Sequence, residues 1–138
     1  MIAIPELHLK LSDRASASLV SDVVLRKALA MLGTDYEFGS NDADAVDCSA
    51  LVQQAFRSAG LELPRTVREL LRSGVNVKRS QLRAGDLMIY RWKPRQLHVA
   101  VYLDAGHIVH ASPSAGEVVV TALDNNWQRR LVAVRRLL

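Results

Sequence analysis

The chain has 138 residues, a formal net charge of +4 and 49% hydrophobic residues. That length suits one domain around one core, and that apolar share excludes a disordered chain. No apolar run reaches the roughly 20 residues of a membrane span, and the basic excess comes without a nucleic-acid motif and with only 5% aromatic residues, so neither a membrane-spanning protein nor a nucleic-acid binder is expected.

Residues 1–18 are weakly patterned and read as an N-terminal arm, which leaves 19–138 as one domain. The opening Met1-Ile2-Ala3-Ile4-Pro5-Glu6 lacks a basic stretch followed by an apolar one, so no secretory signal is expected. Ser21-Asp22 offers a cap for a helix carrying Val23, Val24, Ala28, Leu29 and Met31, with Gly33 as its stop. Residues 34–46 read as a polar loop. A second helix runs from about Asp47 to Ala59. Leu51, Val52, Ala55, Phe56 and Ala59 recur at the spacing of one buried face, Asp47 is the expected cap and Gly60 ends the run. After the loop Leu63-Pro64-Arg65-Thr66, Thr66 and Glu69 form a capping-box pattern for a third helix ending near Ser73-Gly74.

The period then changes. Leu87–Tyr90 is a short apolar run, Leu97–Leu103 a strong strand, and Asp104-Ala105-Gly106 turns the chain into a strand from His107 to Ala111. Further strands are expected at Glu117–Ala122 and Leu131–Arg136. Helices first and antiparallel strands afterwards indicate an α+β fold. Arg129, Arg130, Arg135 and Arg136 near the C-terminus read as ordinary solvated arginines.

The chemistry is expected at Cys48, the only cysteine of the chain. A lone thiol forms no internal disulfide. At a helix N-terminus it faces unpaired N–H groups and the positive end of the macrodipole, which favour the thiolate. A thiolate nucleophile needs a base, and a group that fixes the base's tautomer. His98 and His110 sit on the two strands of one predicted hairpin and are neighbours on one sheet face if the register allows. The helix bearing Cys48 then has to pack across that face. Taken singly, a buried cysteine or a strand histidine is more often plain core. His107 reads as solvent-facing and His8 carries no signal. His107 and His110 stand three apart on a strand and so point to opposite faces, which argues against a metal site.

The runs Tyr36…Asp47-Cys48-Ser49-Ala50-Leu51-Val52, Leu63-Pro64-Arg65-Thr66, Leu82-Arg83-Ala84-Gly85-Asp86-Leu87, His98-Val99-Ala100-Val101-Tyr102-Leu103 and Ile108-Val109-His110-Ala111-Ser112 together resemble the NlpC-type cell-wall cysteine peptidases. The resemblance covers about residues 24–136. It implies a circularly permuted papain-like fold, with N-terminal helices packed on a C-terminal antiparallel β-sheet. It also implies cleavage of an amide bond in the stem peptide of bacterial peptidoglycan, commonly between D-glutamate and the diamino acid, without cofactor or metal. By position it implies Cys48 as nucleophile, His98 as base and His110 as the orienting third residue. Tyr36, Asp47, Ser49 and Arg65 become the substrate-binding set, with Arg65 either structural or substrate-facing. In the proposed reaction the Cys48 N–H and Tyr36 are the expected oxyanion donors. The expected setting is the cell envelope, the exterior or a phage tail, and a toxin role would add a cognate inhibitor protein as partner. Two alternatives stand beside this reading. One is a cysteine hydrolase or acyl transferase acting on a lipid ester or an isopeptide bond. The other is a non-catalytic wall-binding module. Ala50, Ser40 and Ala100 stand where the family usually has glycine, which implies a narrower pocket, and strain at Ser40 if its φ is positive.

Overall fold

The structure, a computed structural model, describes residues 19–138. The expected arm over 1–18 lies outside the described residues. Residues 19–30 are helical (α1), so Ser21 and Asp22 sit inside the helix and do not cap it. The loop expected at 34–46 contains two short strands, β1 (Asp35–Tyr36) and β2 (Ala45–Val46), paired in parallel. The helix α2 (Cys48–Arg57) begins where its cap predicts, with Asp47 in extended conformation and its carboxylate accepting the Ala50 N–H. The third helix, α3 (Val67–Leu70), is capped by Thr66 as expected but is a single turn long. No helix among the described residues is long and apolar enough to cross a membrane.

The second half supplies β3 (Val75–Asn76), β4 (Leu87–Lys93), β5 (Gln96–Tyr102), β6 (His107–Ser112), β7 (Glu117–Ala122), the short helix α4 (Asn125–Arg130) and β8 (Leu131–Arg136). All strands join one 8-stranded sheet in the order β2-β1-β7-β6-β5-β4-β8-β3. The expected antiparallel sheet is therefore mixed at one edge, where β1 and β2 run parallel. The central hairpins are antiparallel, with Val101 opposite Val109 and Tyr102 opposite Ile108. At their turn Ala105 takes φ +46°, the one positive φ of a non-glycine residue among the described residues, followed by Gly106 at +77°. Ser40 therefore carries none of the anticipated strain.

Two cores flank the sheet. On one face Val99, Val101, Val109 and Ala111 pack against α2, with Leu51, Val52, Ala55 and Phe56 fully buried between them. On the other face Met88, Tyr90, Ala100 and Ile108 pack beneath Leu123, Trp127 and Leu131. Alternation along a strand forces this division, since even and odd residues of β5 point to opposite sides. Phe56, wholly buried, is the largest apolar side chain that α2 contributes to the first core. Phe56→Ala is expected to cost about 3–5 kcal/mol in urea denaturation, the usual loss for a buried aromatic truncated to alanine. A loss under about 1 kcal/mol would mean that α2 is not clamped on the sheet as described.

Candidate active site

Cys48 is the first residue of α2 and is partly exposed. The residues around it hold one another. The Arg65 guanidinium grips Asp47 through both carboxylate oxygens, Nη1 donating to Oδ1 at 3.0 Å and Nη2 to Oδ2 at 2.9 Å. Arg65 Nη1 also donates to Ser49 Oγ at 2.8 Å, and Nη2 reaches the Ser40 carbonyl at 3.4 Å. The Gly39 N–H donates to Asp47 Oδ2 at 3.2 Å. One carboxylate thus caps the helix, anchors the incoming loop and pairs with Arg65. Two glutamines of α2 tie down the rest of that loop. Asn41 Nδ2 donates to Gln53 Oε1 at 2.7 Å, and Gln54 Nε2 donates to Asn41 Oδ1 at 2.8 Å.

The two histidines meet directly. His98 Nε2 lies 2.8 Å from His110 Nδ1, with the rings nearly perpendicular. Both side chains are buried, at 4% and 3% exposure. Their position corrects one expectation. They lie on the sheet face opposite α2, together with Ala100 and Ile108, so the helix does not cross the histidine face. Cys48 and His98 come together at the N-terminal end of the helix instead, where the sheet's end and the helix tip line one groove. Sequence reasoning missed Trp127 and Thr121. The Trp127 ring lies edge-on to His110 at 5.1 Å between centroids and 6.2 Å from His98. It is braced by Tyr90 and Trp92 at 4.9 and 4.8 Å. Asp124, which caps α4 by accepting the Trp127 N–H, is the signal that was available for this helix. Thr121 Oγ1 lies 2.9 Å from His110 Nε2.

Burial sets the electrostatics. It lowers His98 to about 3, aided by the neighbouring His110, and lowers His110 to about 4. Both rings are therefore neutral at ordinary pH. Burial also pushes the Cys48 thiol up, and the Asp47 charge adds to it. The backbone N–H groups of Val99, Ser49 and Cys48 pull the other way without winning. The expectation that the helix terminus alone would favour the thiolate is corrected: desolvation outweighs it. Tyr36 is raised by burial and by the Cys48 and Asp47 charges, so its phenol stays a donor. For Asp47, burial pushes upward, but the Arg65 hydrogen bond, the Ala50 and Gly39 N–H groups and the Arg65 charge together hold it low.

These histidines predict a pH dependence of stability. In the unfolded chain both rings take up a proton near pH 6.5, whereas in the fold they resist to about 4 and about 3. Across that window the unfolded state binds more protons. Stability that is complete above pH 6.5 is therefore lost as pH falls toward 4 and below. The melting temperature is expected to drop steadily between pH 7 and pH 4, and to drop less in His110→Gln; parallel profiles for the two proteins would refute burial of the neutral pair.

The groove of about 430 Å³ is lined by Tyr36, Phe38, Asp47, Cys48, Ser49, Arg65, Trp92, Gln96 and His98 among others. All seven residues singled out from the sequence lie in it or, for His110, directly behind it. Ala50 and Ala100 are fully buried in the two cores and line no part of it, so they do not narrow it. Phe38, 88% exposed, forms part of its rim. Among the described residues no group of three or more His, Cys, Asp or Glu is placed to hold a metal ion. The arrangement places a thiol and a neutral, oriented imidazole along one open groove.

Residues 33–136 match the sequence profile described as the NlpC/P60 family. A murein DD-endopeptidase MepS/murein LD-carboxypeptidase of Escherichia coli K12 is 38% identical over 107 residues, which cover 77% of this chain and 57% of the relative. The chain thus spans little more than half the length of that relative. The solved peptidoglycan hydrolase RipB of Mycobacterium tuberculosis superposes with a TM-score of 0.77 at 30% identity, covering 90% of this chain and 67% of that one. RipD of the same organism, described as a non-catalytic NlpC/p60 domain protein adapted to peptidoglycan binding, superposes at 0.74 with 26% identity, covering 86% of this chain and 98% of that one.

Proposed function

The chain belongs to the NlpC/P60 family, and from that premise we propose that it is a peptidoglycan hydrolase that cuts an amide bond of the stem peptides by cysteine catalysis. The observation that supports it most directly is the oriented pair of neutral histidines beside the one cysteine, at the mouth of an open groove. On this reading His98 takes the Cys48 proton on the ring nitrogen that His110 leaves free, as the thiolate attacks the carbonyl carbon. The tetrahedral oxyanion meets the Cys48 backbone N–H and the Tyr36 hydroxyl. The imidazolium then protonates the leaving amine, the amide C–N bond breaks, and a thioester remains on Cys48. Water, deprotonated by His98, hydrolyses it. Asp47, Ser49 and Arg65 form the floor that receives the peptide, and their mutual bonds keep that floor rigid.

The alternative of pure wall binding gains support from the likeness to RipD, and the intact Cys48–His98–His110 set weighs against it. The bond is either that between D-glutamate and the diamino acid, as the family resemblance implies, or a DD cross-link, on which the relative named MepS acts by its name. The substrate sets the site of action in the cell envelope. Incubating the purified protein with peptidoglycan sacculi and weighing the released muropeptides by mass spectrometry tests all of this. Cleavage of cross-links converts dimeric muropeptides to monomers, whereas cleavage after D-glutamate leaves glycan-linked dipeptides. A muropeptide composition left unchanged by folded protein would overturn the hydrolase reading.

A further inference from the structure

His110 uses both ring nitrogens. Nδ1 faces His98 Nε2 at 2.8 Å, and Nε2 faces Thr121 Oγ1 at 2.9 Å. Thr121 stands on β7 opposite Ile108, and His110 stands opposite Val119, so the two are diagonal neighbours on one sheet face. Two neutral imidazoles sharing one hydrogen bond have only two proton arrangements. In the first, Thr121 Oγ1 accepts the His110 Nε2–H, His110 Nδ1 accepts the His98 Nε2–H, and His98 Nδ1 carries a free lone pair. In the second every donor is reversed, and His98 Nδ1 already holds a proton. Only the first can take a proton from Cys48, because His98 Nε2 is occupied by His110 in both.

We infer that Thr121 is a positioning residue of this site: its hydroxyl oxygen receives the His110 Nε2–H and so selects the tautomer in which His98 Nδ1 is the base. Thr121 is only partly buried, so its own O–H proton has solvent to donate to and its oxygen stays available as acceptor. The same arrangement serves the next step. When Cys48 passes its proton to His98 Nδ1, the imidazolium keeps its Nε2–H on His110 Nδ1, and His110 in turn leans its Nε2–H harder on Thr121. Trp127 packs edge-on against His110 and helps to hold its ring in this orientation. Burial keeps both rings neutral, which is the condition for a choice of tautomer to exist.

The inference rests on His98 being the base to Cys48, and its test is separable from the hydrolase reading. Thr121→Val keeps the shape of a β-branched strand residue and removes the oxygen; Thr121→Ser keeps the oxygen and removes the methyl; Thr121→Ala removes both. Each is read in three ways: the rate of Cys48 alkylation by iodoacetamide at pH 7, the tautomers of His98 and His110 by long-range 1H–15N NMR, and kcat/KM on purified muropeptides. The Val and Ala variants are expected to lose about thirtyfold in alkylation rate and in kcat/KM, less than the roughly 10²–10⁴ that general-base catalysis contributes, because His98 itself is still present. Their His98 signal is expected to move from Nε2–H toward Nδ1–H. Thr121→Ser is expected to stay within about threefold of the parent, with the parent's tautomers, because it keeps the hydrogen-bond acceptor. A Val variant as reactive as the parent overturns the inference. So does one that loses reactivity with its tautomers unchanged, since that marks a packing role alone. Alkylation and NMR need no peptidoglycan, so an inactive parent would sink the hydrolase reading while these measurements still decide on Thr121.

Discussion

Replacing Cys48 by alanine is expected to lower release of muropeptides from sacculi on the order of 10⁴-fold or more while leaving the fold unchanged. The size follows from the chemistry: without the sulfur no thioester forms, and what remains is the smaller contribution of substrate binding and oxyanion donors. The preserved fold follows from position. Cys48 is the first helical residue and only partly buried. The cap belongs to Asp47, which bonds the Ala50 N–H and Arg65 and asks nothing of the sulfur. Alanine is also the best helix former. The melting temperature should therefore stay within about 3 °C of the parent, a change of under about 1 kcal/mol. Activity above about 1% of the parent, in protein free of contaminating hydrolase, would remove Cys48 from the nucleophile's role.

A loss of stability as large as that of Phe56→Ala is expected at a residue far from the groove. Asp86 is 2% exposed and accepts from Arg136 through both oxygens at 2.8 Å, as well as from the Arg83 N–H at 2.8 Å. Its backbone takes part too, since the Tyr102 N–H donates to the Asp86 carbonyl at 2.9 Å. The pair therefore ties the turn before β4 to the end of β8, adding to the ladder that joins the two strands. The Asp86 hydrogen bond and charge raise Arg136 above its ordinary value against a smaller cost of burial, so the guanidinium stays charged. Removing one partner of such a pair strands the other's charge. Asp86→Leu is expected to cost about 3–5 kcal/mol, or roughly 10–15 °C in melting temperature for a chain of this size. Asp86→Leu combined with Arg136→Leu should recover part of that loss, because no charge is left unpaired. A single variant within about 1 kcal/mol of the parent in urea titration would show that the pair does not fasten the sheet. The result also bears on the C-terminal arginines. Arg136 holds Asp86, Arg135 donates to the Leu71 carbonyl at 2.8 Å, and Arg130 stacks on Trp92 at 4.7 Å while bonding its carbonyl at 3.0 Å. Three of the four arginines that read as solvated charge are structural anchors.

Local signals were legible wherever one residue type does one job. Asp47 as cap, Leu51, Val52, Ala55 and Phe56 as buried face, and Thr66 as the next cap all follow from hydrogen-bond geometry within a single turn. The hairpin of β5 and β6 follows from alternation around a Gly-containing turn. The short strands β1 and β2 were hidden inside a polar loop because two residues carry no period. The helix α4 was hidden because six residues with no fully buried side chain show no amphipathic face. What announces α4 is the Asp124 cap alone.

For the candidate site, residue order alone announces the chemistry on offer: one thiol at a helix start, two histidines on one hairpin and an arginine after a Pro turn. Their order along the chain carried the family. How these parts are used depends on the assembled fold. The sheet register places His98 Nε2 against His110 Nδ1, and β7 brings Thr121 to the far side of His110. The division of the sheet into two buried faces puts the histidines under Trp127 and the helix on the opposite side. Burial, a property of the assembled fold, then reverses the charge preference that the helix terminus suggests for Cys48. A cap or a period is fixed by neighbours a few residues apart. Desolvation and tautomer are fixed by groups that meet only when distant strands pair.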